Sequence, residues 1–107
     1  MSNRLTAKTF DLICNETCLT RTGWNIDESV PGSGYWVFSD YVNGQKEVTE
    51  WRDDWRCAWI TVPGEPIIEV RKVYEFKVML NQAIEKWKRA YIKEQMVELE
   101  REIEKLD

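Results

Sequence analysis

The chain contains no histidine among its 107 residues, and histidine is the side chain most often used as a general base or metal ligand near neutral pH. A cysteine nucleophile needs such a base, so the three cysteines lack the usual partner for covalent catalysis. A zinc site would need a carboxylate or a water molecule beside three thiolates. We therefore expect no catalytic residue, no metal site and no cofactor.

Cysteine itself is scarce. Cys14, Cys18 and Cys57 are an odd number, and the first ten residues, MSNRLTAKTF, lack the apolar stretch of a signal peptide. We therefore expect reduced thiols and a cytoplasmic protein, in the host cytosol if the protein is viral. No apolar run approaches the ~20 residues that a membrane span requires, so no membrane contact is expected.

An excess of positive charge is also missing. The formal net charge is -4 and the pI is near 5.0. Broad contact with phosphate groups needs clustered lysine and arginine, so nucleic acid is not an expected partner. A chain of this length can bury one modest core, which predicts a single domain overall.

Glycine and proline number five and three, and all of them lie before residue 67. Five of the six tryptophans lie in the same part, between Trp24 and Trp59. The remainder is rich in charged residues and free of both helix breakers, which is typical of a long helix. The sequence thus predicts an aromatic-rich α+β module over residues 1–66 and a long C-terminal helix over residues 67–107.

Near the N terminus, apolar residues recur at spacings of three and four, as on one face of a helix. Thr6 is a suitable N-cap and Gly23 a suitable terminator, which predicts a helix over residues 6–20. A strand over residues 10–19 remains the alternative, because threonine and cysteine tolerate that conformation.

A β-hairpin is predicted from two alternating segments, Tyr35–Val42 and Gln45–Arg52, which flank an Asn43-Gly44 sequence typical of a type I′ turn. With a two-residue loop, the paired positions are Trp36 with Trp51, Tyr35 with Arg52, Phe38 with Thr49, and Asp40 with Glu47. The last pair has like charges, which destabilise directly opposed positions. A longer loop or a β-bulge therefore stays open.

A third strand is predicted over residues 55–62, because the run Ile60-Thr61-Val62 is rich in β-branched side chains. The alternative is a helix, since Trp51, Trp55 and Trp59 stand four residues apart and would share one helical face. Both possibilities remain open from the sequence alone.

Residues 67–73 are either a short fourth strand or the start of the long helix. The predicted fold class is therefore α+β, with an N-terminal helix and a small antiparallel sheet of three or four strands that includes the Asn-Gly hairpin. A long C-terminal helix, able to form an antiparallel coiled coil, completes the fold.

The long helix carries two apolar stripes at helical spacing. The first comprises Val73, Phe76, Leu80, Ala83, Ile84, Trp87 and Tyr91, and the second comprises Ile92, Met96, Leu99, Ile103 and Leu106. At about 100° per residue, the stripes lie roughly a quarter turn apart, so the two halves of the helix are expected to face different surroundings. Packing of both stripes on the chain's own body, with a slightly curved helix, is the alternative.

Charge is segregated along the same helix. Residues 71–93 contain seven basic and two acidic side chains, whereas residues 94–107 contain two basic and six acidic ones. An antiparallel partner helix of the same chain sets the basic part against the acidic part, which favours pairing and orientation. We expect a homodimer, or docking on a basic protein partner, through the second stripe.

The segment from Trp24 to Trp59 contains more tryptophans than one face of a small sheet needs to form a core. In the predicted register, alternate faces separate Trp36 and Trp51 from Tyr35, Trp55 and Trp59. One group can form the core, while the other, beside two arginines, forms a protein-binding surface or a stacking platform. The candidate partner-binding residues are Trp51, Arg52, Trp55, Arg56 and Trp59.

The segment Thr20-Arg21-Thr22-Gly23-Trp24-Asn25 resembles the Arg-x-Gly-Trp-Asn segment of small phage proteins that sequester cyclic ADP-ribose-type immune signals. The resemblance covers six residues, and Ile26 follows where those proteins have a glycine. It implies a nucleotide-binding role for Arg21 and Trp24.

The expected function is that of a non-catalytic binding protein that acts through protein–protein contacts. A phage-type inhibitor that occludes or sequesters a host defence component fits the small size and the missing catalytic motifs. The alternatives are a nucleotide-binding sponge, which would use Arg21, Trp24 and exposed rings, and an oligomeric structural or assembly protein.

Overall fold

The computed structural model describes residues 3–26, 34–40, 42, 44–53 and 55–106, with the backbone alone for residues 23–26 and 34–38. The elements follow in the order α1 (Ala7–Asn15), β1 (Thr20–Ile26), β2 (Gly34–Asp40), β3 (Lys46–Arg52), β4 (Cys57–Ile60), β5 (Ile68–Val70) and α2 (Val73–Lys105). Asn43, predicted in the hairpin turn, lies outside the described residues.

The five strands form one antiparallel sheet in which neighbours along the chain are neighbours in the sheet, in the order β1-β2-β3-β4-β5. Both helices share a hydrophobic core with β3, β4 and β5. Helices on one face of a sheet make a two-layer fold that buries that face. The predicted α+β class is confirmed, with five strands in place of three or four.

The N-terminal helix is shorter than the predicted range 6–20, and the alternative strand over residues 10–19 is wrong. Thr6 is the N-cap, as predicted, because its side chain accepts the backbone N–H of Thr9 at 3.3 Å. Capping therefore sets the start of α1, whereas its end depends on residues that the periodic pattern does not reveal.

At the end of α1, the hydroxyl of Thr17 donates to the carbonyl oxygen of Cys14 at 2.6 Å. The Thr17 N–H donates to the same carbonyl at 3.1 Å, so local hydrogen bonds replace the next helical turn. The chain then enters β1, which the sequence reading missed. Gly23 consequently lies within a strand and does not terminate a helix.

The central hairpin has the predicted register over most of its length. The confirmed pairs are Trp36 with Trp51, Tyr35 with Arg52, and Phe38 with Thr49. The predicted pairing of Asp40 with Glu47 is wrong, because a bulge at Val48 sets Asp40 opposite Lys46. The bulge avoids a like-charge pair, and it brings Val48 into the core, where it is fully buried.

The strand β4 occupies only the middle of the predicted range 55–62. The alternative helix through Trp51, Trp55 and Trp59 is wrong, since Trp51 and Trp59 lie on adjacent strands. The strand option for the next segment is confirmed, because β5 pairs with β4 before the long helix begins. The long C-terminal helix is confirmed as α2, which spans 33 residues.

Aromatic packing joins the two helices to the sheet. The rings of Phe10 and Phe76 stack with their centroids 5.2 Å apart, and Phe10 also contacts Trp51 at 5.9 Å. Further along α2, the indole N–H of Trp87 donates to the carbonyl oxygen of Thr61 at 2.8 Å. These contacts tie α2 to the body from its first turn to about its middle.

The residues before α1 hold the start of α2 in place. The backbone N–H of Leu5 donates to the carbonyl of Arg71 at 2.8 Å, and the N–H of Val73 donates to the carbonyl of Asn3 at 3.0 Å. Because backbone groups at a helix start otherwise need side-chain caps or water, this pairing helps to fix the direction in which α2 leaves the body.

No disulfide joins the three cysteines, all of which lie in the described residues: Cys14 and Cys57 are buried and Cys18 is exposed. Burial, and then the Asp11 carboxylate, raise the pKa of the Cys14 thiol. Partial burial of its sulfur also raises the pKa of Cys18, and Asp40 adds to this effect. Thiolate is the reactive form, so we expect slow chemistry even at the exposed thiol.

We expect a native thiol titration to modify Cys18 alone, because a reagent reaches only the exposed sulfur. In denaturant, all three cysteines react. A chromogenic disulfide reagent at pH 8 measures both values, and Cys18→Ser is the control that removes the native signal. Rapid modification of a second thiol in the native protein would contradict the burial of Cys14 and Cys57.

Candidate protein-binding surfaces

Helix α2 extends well past the body of the protein. Its 33 residues correspond to about 50 Å at 1.5 Å per residue, and the longest dimension of the molecule is 61 Å. Tyr91 is the last partly buried residue, and every residue from 92 to 106 is exposed. We call residues 92–106 the distal segment.

The distal segment carries a row of large apolar side chains that nothing in the described chain covers. We call this row the distal stripe; it comprises the five predicted association residues Ile92 (48% exposed), Met96 (57%), Leu99 (57%), Ile103 (62%) and Leu106 (85%). Exposed apolar rows of this kind mark interaction surfaces in soluble proteins. The alternative in which both stripes pack on the chain's own body is therefore wrong.

The distal stripe points away from the sheet. Leu80 and Ala83 are buried against the core, and they precede Ile92 by twelve and nine residues. At about 100° per residue, these steps correspond to roughly 120° and 180° around the helix. The two stripes are thus farther apart than the predicted quarter turn, and a second helix can lie on the stripe without meeting the body.

Two exposed residues near the start of α2 share the phase of the distal stripe. Tyr74 is 70% exposed and Val78 is 39% exposed. They precede Ile92 by eighteen and fourteen residues, which places them within about 40° of it around the helix. The sequence reading missed them because it assigned the first half of α2 to one stripe only, although helix phase alone was sufficient to find them.

The five predicted partner-binding residues do not form one surface. Trp51 is a core residue with 2% exposure, and its indole N–H donates to Asp53 at 3.3 Å. Trp55 and Arg56 are exposed in the turn between β3 and β4. Because Trp55 lies in this turn and not in a strand, the alternation of strand faces does not place it beside Trp59. The three tryptophans therefore do not form one stacking surface.

Arg52 and Trp59 lie together on the sheet face opposite the core. In β3 and β4, Trp51 pairs with Ala58 on the buried face, and the alternating positions hold Arg52 and Trp59. The Arg52 guanidinium lies 4.8 Å from the centroid of the Trp59 ring, a cation–π contact. Among the described residues, the Trp59 indole N–H is buried without a hydrogen-bond acceptor.

Glu50 belongs to the same face, 3.8 Å from the Arg52 guanidinium. Burial raises the pKa of the Glu50 carboxyl above its ordinary value, Arg52 lowers it and Glu47 raises it. Because the folded pKa is the higher one, the folded state holds more protons than the unfolded state in the range just above that ordinary value. Stability therefore rises as the pH falls into this range, and the ionised carboxylate is unfavourable at pH 7.

We expect Glu50→Gln to leave the free energy of unfolding at pH 7 unchanged or higher, because a neutral amide avoids the burial of charge. Urea unfolding at pH 5 and pH 7 measures the effect, and the variant should show a smaller gain in stability at pH 5 than the original chain. Glu85→Gln, at an exposed position of α2, is the matched control for charge. A clear loss of stability at pH 7 for Glu50→Gln alone would mean that the ion pair outweighs burial.

A cleft of about 310 Å³ lies where the N terminus of α1 meets the end of β3. We call it the end cleft; its lining residues are Arg4, Leu5, Thr6, Ala7, Trp51, Asp53 and Arg56. Its polar side chains include two arginines and one carboxylate, and Arg56 adopts a positive φ of 50° in the adjacent turn. The sequence reading missed Arg4 and Asp53 here, because only the tertiary fold brings the N-terminal segment to this turn.

The predicted nucleotide-binding pair is only partly described. Arg21 is exposed on the outer strand β1, where its guanidinium lies 3.6 Å from the Asp11 carboxylate. The backbone of Trp24 pairs with that of Trp36, but the side chain of Trp24 lies outside the described residues. Nucleotide binding by these two residues stays a prediction, and Arg21 does not line the end cleft.

Within the described ranges, no three cysteine, aspartate or glutamate side chains gather as a metal-binding group. In the same ranges, no helix combines the length and apolar character needed to cross a membrane. A scan against protein-family models finds no match for the chain, and searches of curated proteins and of solved structures find none either.

Proposed function

We propose that the protein is a non-catalytic binding protein that acts through protein–protein contacts made by the distal stripe. The observation that carries the proposal is the projection of residues 92–106 beyond the body with a continuous apolar row exposed. Within the residues that the structure describes, no other element packs on this part of α2. Its apolar side chains offer the spacing that a second helix uses to pack.

The body of the protein provides the rigid base for this helix. Stacking of Phe76 on Phe10 and the hydrogen bond from Trp87 to Thr61 hold the first half of α2 on the body of the protein. A helix held at one end presents its other end with little loss of conformational freedom on binding, which favours affinity. This division supports a role in which the chain occludes or sequesters a macromolecular partner.

The inhibitor role stays a prediction. It rests on small size, on the missing catalytic motifs and on a six-residue resemblance to phage proteins, and a binding helix is compatible with it. An oligomeric assembly protein would use the same distal stripe, and light scattering separates the two, because assembly produces large particles whereas an inhibitor forms small complexes of defined stoichiometry.

The test compares Leu99→Asp with Leu12→Asp. Both leucines lie on helices and are nearly equally exposed, at 57% and 56%, so each change introduces the same charge at a similar surface position. We expect Leu99→Asp to abolish association, either with another copy or with a co-purified protein, while Leu12→Asp leaves it intact. If every association survives Leu99→Asp, or if the chain forms none, the proposal is wrong.

The end cleft supports a second candidate, the binding of a small anionic ligand such as a nucleotide. Arg4 and Arg56 line the same cleft beside Trp51, and guanidinium groups suit phosphate. Titration with a panel of nucleotides, read by tryptophan fluorescence, tests this candidate. Saturable quenching that Arg56→Ala weakens would support it, whereas quenching that is equal in Arg56→Ala, or absent, would exclude it.

A further inference from the structure

We infer that the distal stripe is occupied by a second copy of this chain, whose helix lies antiparallel, with residues 89–106 of the two copies overlapping. The inference rests on the proposed function and specifies its partner. It follows from three observations: the spacing of the stripe, the charges that flank it, and the direction in which the stripe faces.

The stripe has coiled-coil spacing. Its members step by four, three, four and three residues along α2, which are the steps between the apolar a and d positions of a heptad. Met96 and Ile103 then occupy a positions, whereas Ile92, Leu99 and Leu106 occupy d positions. The flanking e positions hold Lys93 and Glu100, and the g positions hold Lys88, Gln95 and Glu102.

Apolar matching leaves two antiparallel registers, and the first of them also brings Ile92 into the contact. In antiparallel pairs, an a residue packs beside a d residue of the other helix. Four apolar layers form when Ile92 packs against the partner's Ile103 and Met96 packs against the partner's Leu99. The twofold axis then passes between Val97 and Glu98. A shift of one heptad towards the C terminus also gives four apolar layers, so charge has to separate these two registers.

Charge supports the first register and its orientation. This register sets Lys93 beside the partner's Glu100, and the twofold axis repeats this pair of opposite charges. A parallel pair would instead place Lys88 beside the partner's Lys93, because parallel helices bring g and e positions together. An antiparallel slide of one heptad towards the C terminus would oppose Glu100 to the partner's Glu100. A shift of one heptad in the opposite direction packs Glu85 against the partner's Ile103, which places a charged side chain in an apolar layer.

The bodies do not obstruct this arrangement. The stripe is turned roughly 120–180° away from the buried residues of α2, so the second helix lies on the side remote from the sheet. In the selected register, residue 89 of the second copy lies beside Leu106. Its Tyr91, the last partly buried residue, lies level with Glu104, so the described part of its body reaches only the last turn of the first helix, and the two bodies sit at opposite ends of the paired helices.

The contact is short, at little more than two heptads, so we expect a dissociation constant on the order of micromolar. Sedimentation or light scattering of the full chain, from about 1 to 500 μM, measures it. Far-UV circular dichroism of each variant checks that α2 remains folded. Because the substituted residues are all exposed, their replacement should leave the body intact.

A charge-swap series tests the orientation. We expect Lys93→Glu and Glu100→Lys each to raise the dissociation constant on the order of three- to tenfold, since each creates two like-charge pairs. The double variant Lys93→Glu/Glu100→Lys should restore it to within about twofold. Glu98→Lys, at an outward position, is the matched control for the second change and should have less effect than Glu100→Lys.

The outcomes separate this inference from the proposed function. Restoration by the double variant supports the antiparallel register, whereas tighter dimerisation of Lys93→Glu alone indicates parallel helices and overturns it. The chain could instead stay monomeric and bind another protein in a Leu99-dependent manner. That result contradicts the inference that a second copy occupies the stripe, but it agrees with the proposed function. A monomer without any Leu99-dependent partner overturns both.

Discussion

Replacement of Phe76 by alanine is expected to lower the free energy of unfolding by about 3–5 kcal/mol. The side chain is fully buried, and its ring stacks on Phe10 at 5.2 Å. Phe10 in turn contacts Trp51, so this ring lies where α1, α2 and β3 meet. Removing it leaves a cavity that three elements border, and no single one of them can move to fill it without losing its other contacts.

This loss is a large part of the stability of a small domain, which is typically about 5–15 kcal/mol. Urea unfolding followed by circular dichroism measures it. Val78→Ala is the matched control, because Val78 is exposed on the same helix, and its change is expected to stay within about 0.5 kcal/mol. A loss of less than about 1 kcal/mol for Phe76→Ala would mean that α2 does not pack on α1 as described.

Trp51→Ala is expected to destabilise the fold by a similar amount, about 3–5 kcal/mol, whereas Trp55→Ala is expected to change stability by about 0.5 kcal/mol or less. The two rings are only four residues apart, but Trp51 is 2% exposed and Trp55 is 57% exposed. Unfolding measured for both variants under one set of conditions makes the comparison direct. Equal losses would contradict the placement of Trp55 outside the core.

Trp51→Ala and Trp55→Ala also differ in what they can show about partner binding. Trp51 was a predicted partner-binding residue, and its burial means that a binding defect in Trp51→Ala would follow from unfolding. Trp55 and Arg56 are exposed, so their replacement tests contact with a partner directly. Any loss of binding should therefore be judged from Trp55→Ala, with the fold checked first.

Some features were predictable because neighbouring residues decide them. The alternation of large side chains on both sides of Gly44 predicted the hairpin and three of its pairs, since strand periodicity and turn chemistry act over a few residues. The apolar spacing and the lack of breakers after residue 66 predicted α2 in the same way. The candidate association residues on α2 could also be named from helix phase.

Other features were not predictable, because they depend on contacts between distant parts of the chain. The strand β1 carries little strand signal of its own and exists because β2 offers it an edge to pair with. The bulge at Val48 follows from two competing demands, the avoidance of Asp40 opposite Glu47 and the burial of an aliphatic side chain. The like-charge pair in the predicted register left a bulge as one option, but no local sequence pattern indicated its position.

The candidate surfaces likewise combine features that local sequence determined with features that depend on the whole fold. The sequence by itself determined the class of fold, the long C-terminal helix and its apolar row, because helix phase and composition are local properties. Only the tertiary structure decided that this row faces away from the body, that Trp51 is buried while Trp55 is exposed, and that Arg4 and Arg56 line one cleft. Burial depends on which elements pack together, and that is set by the whole core at once.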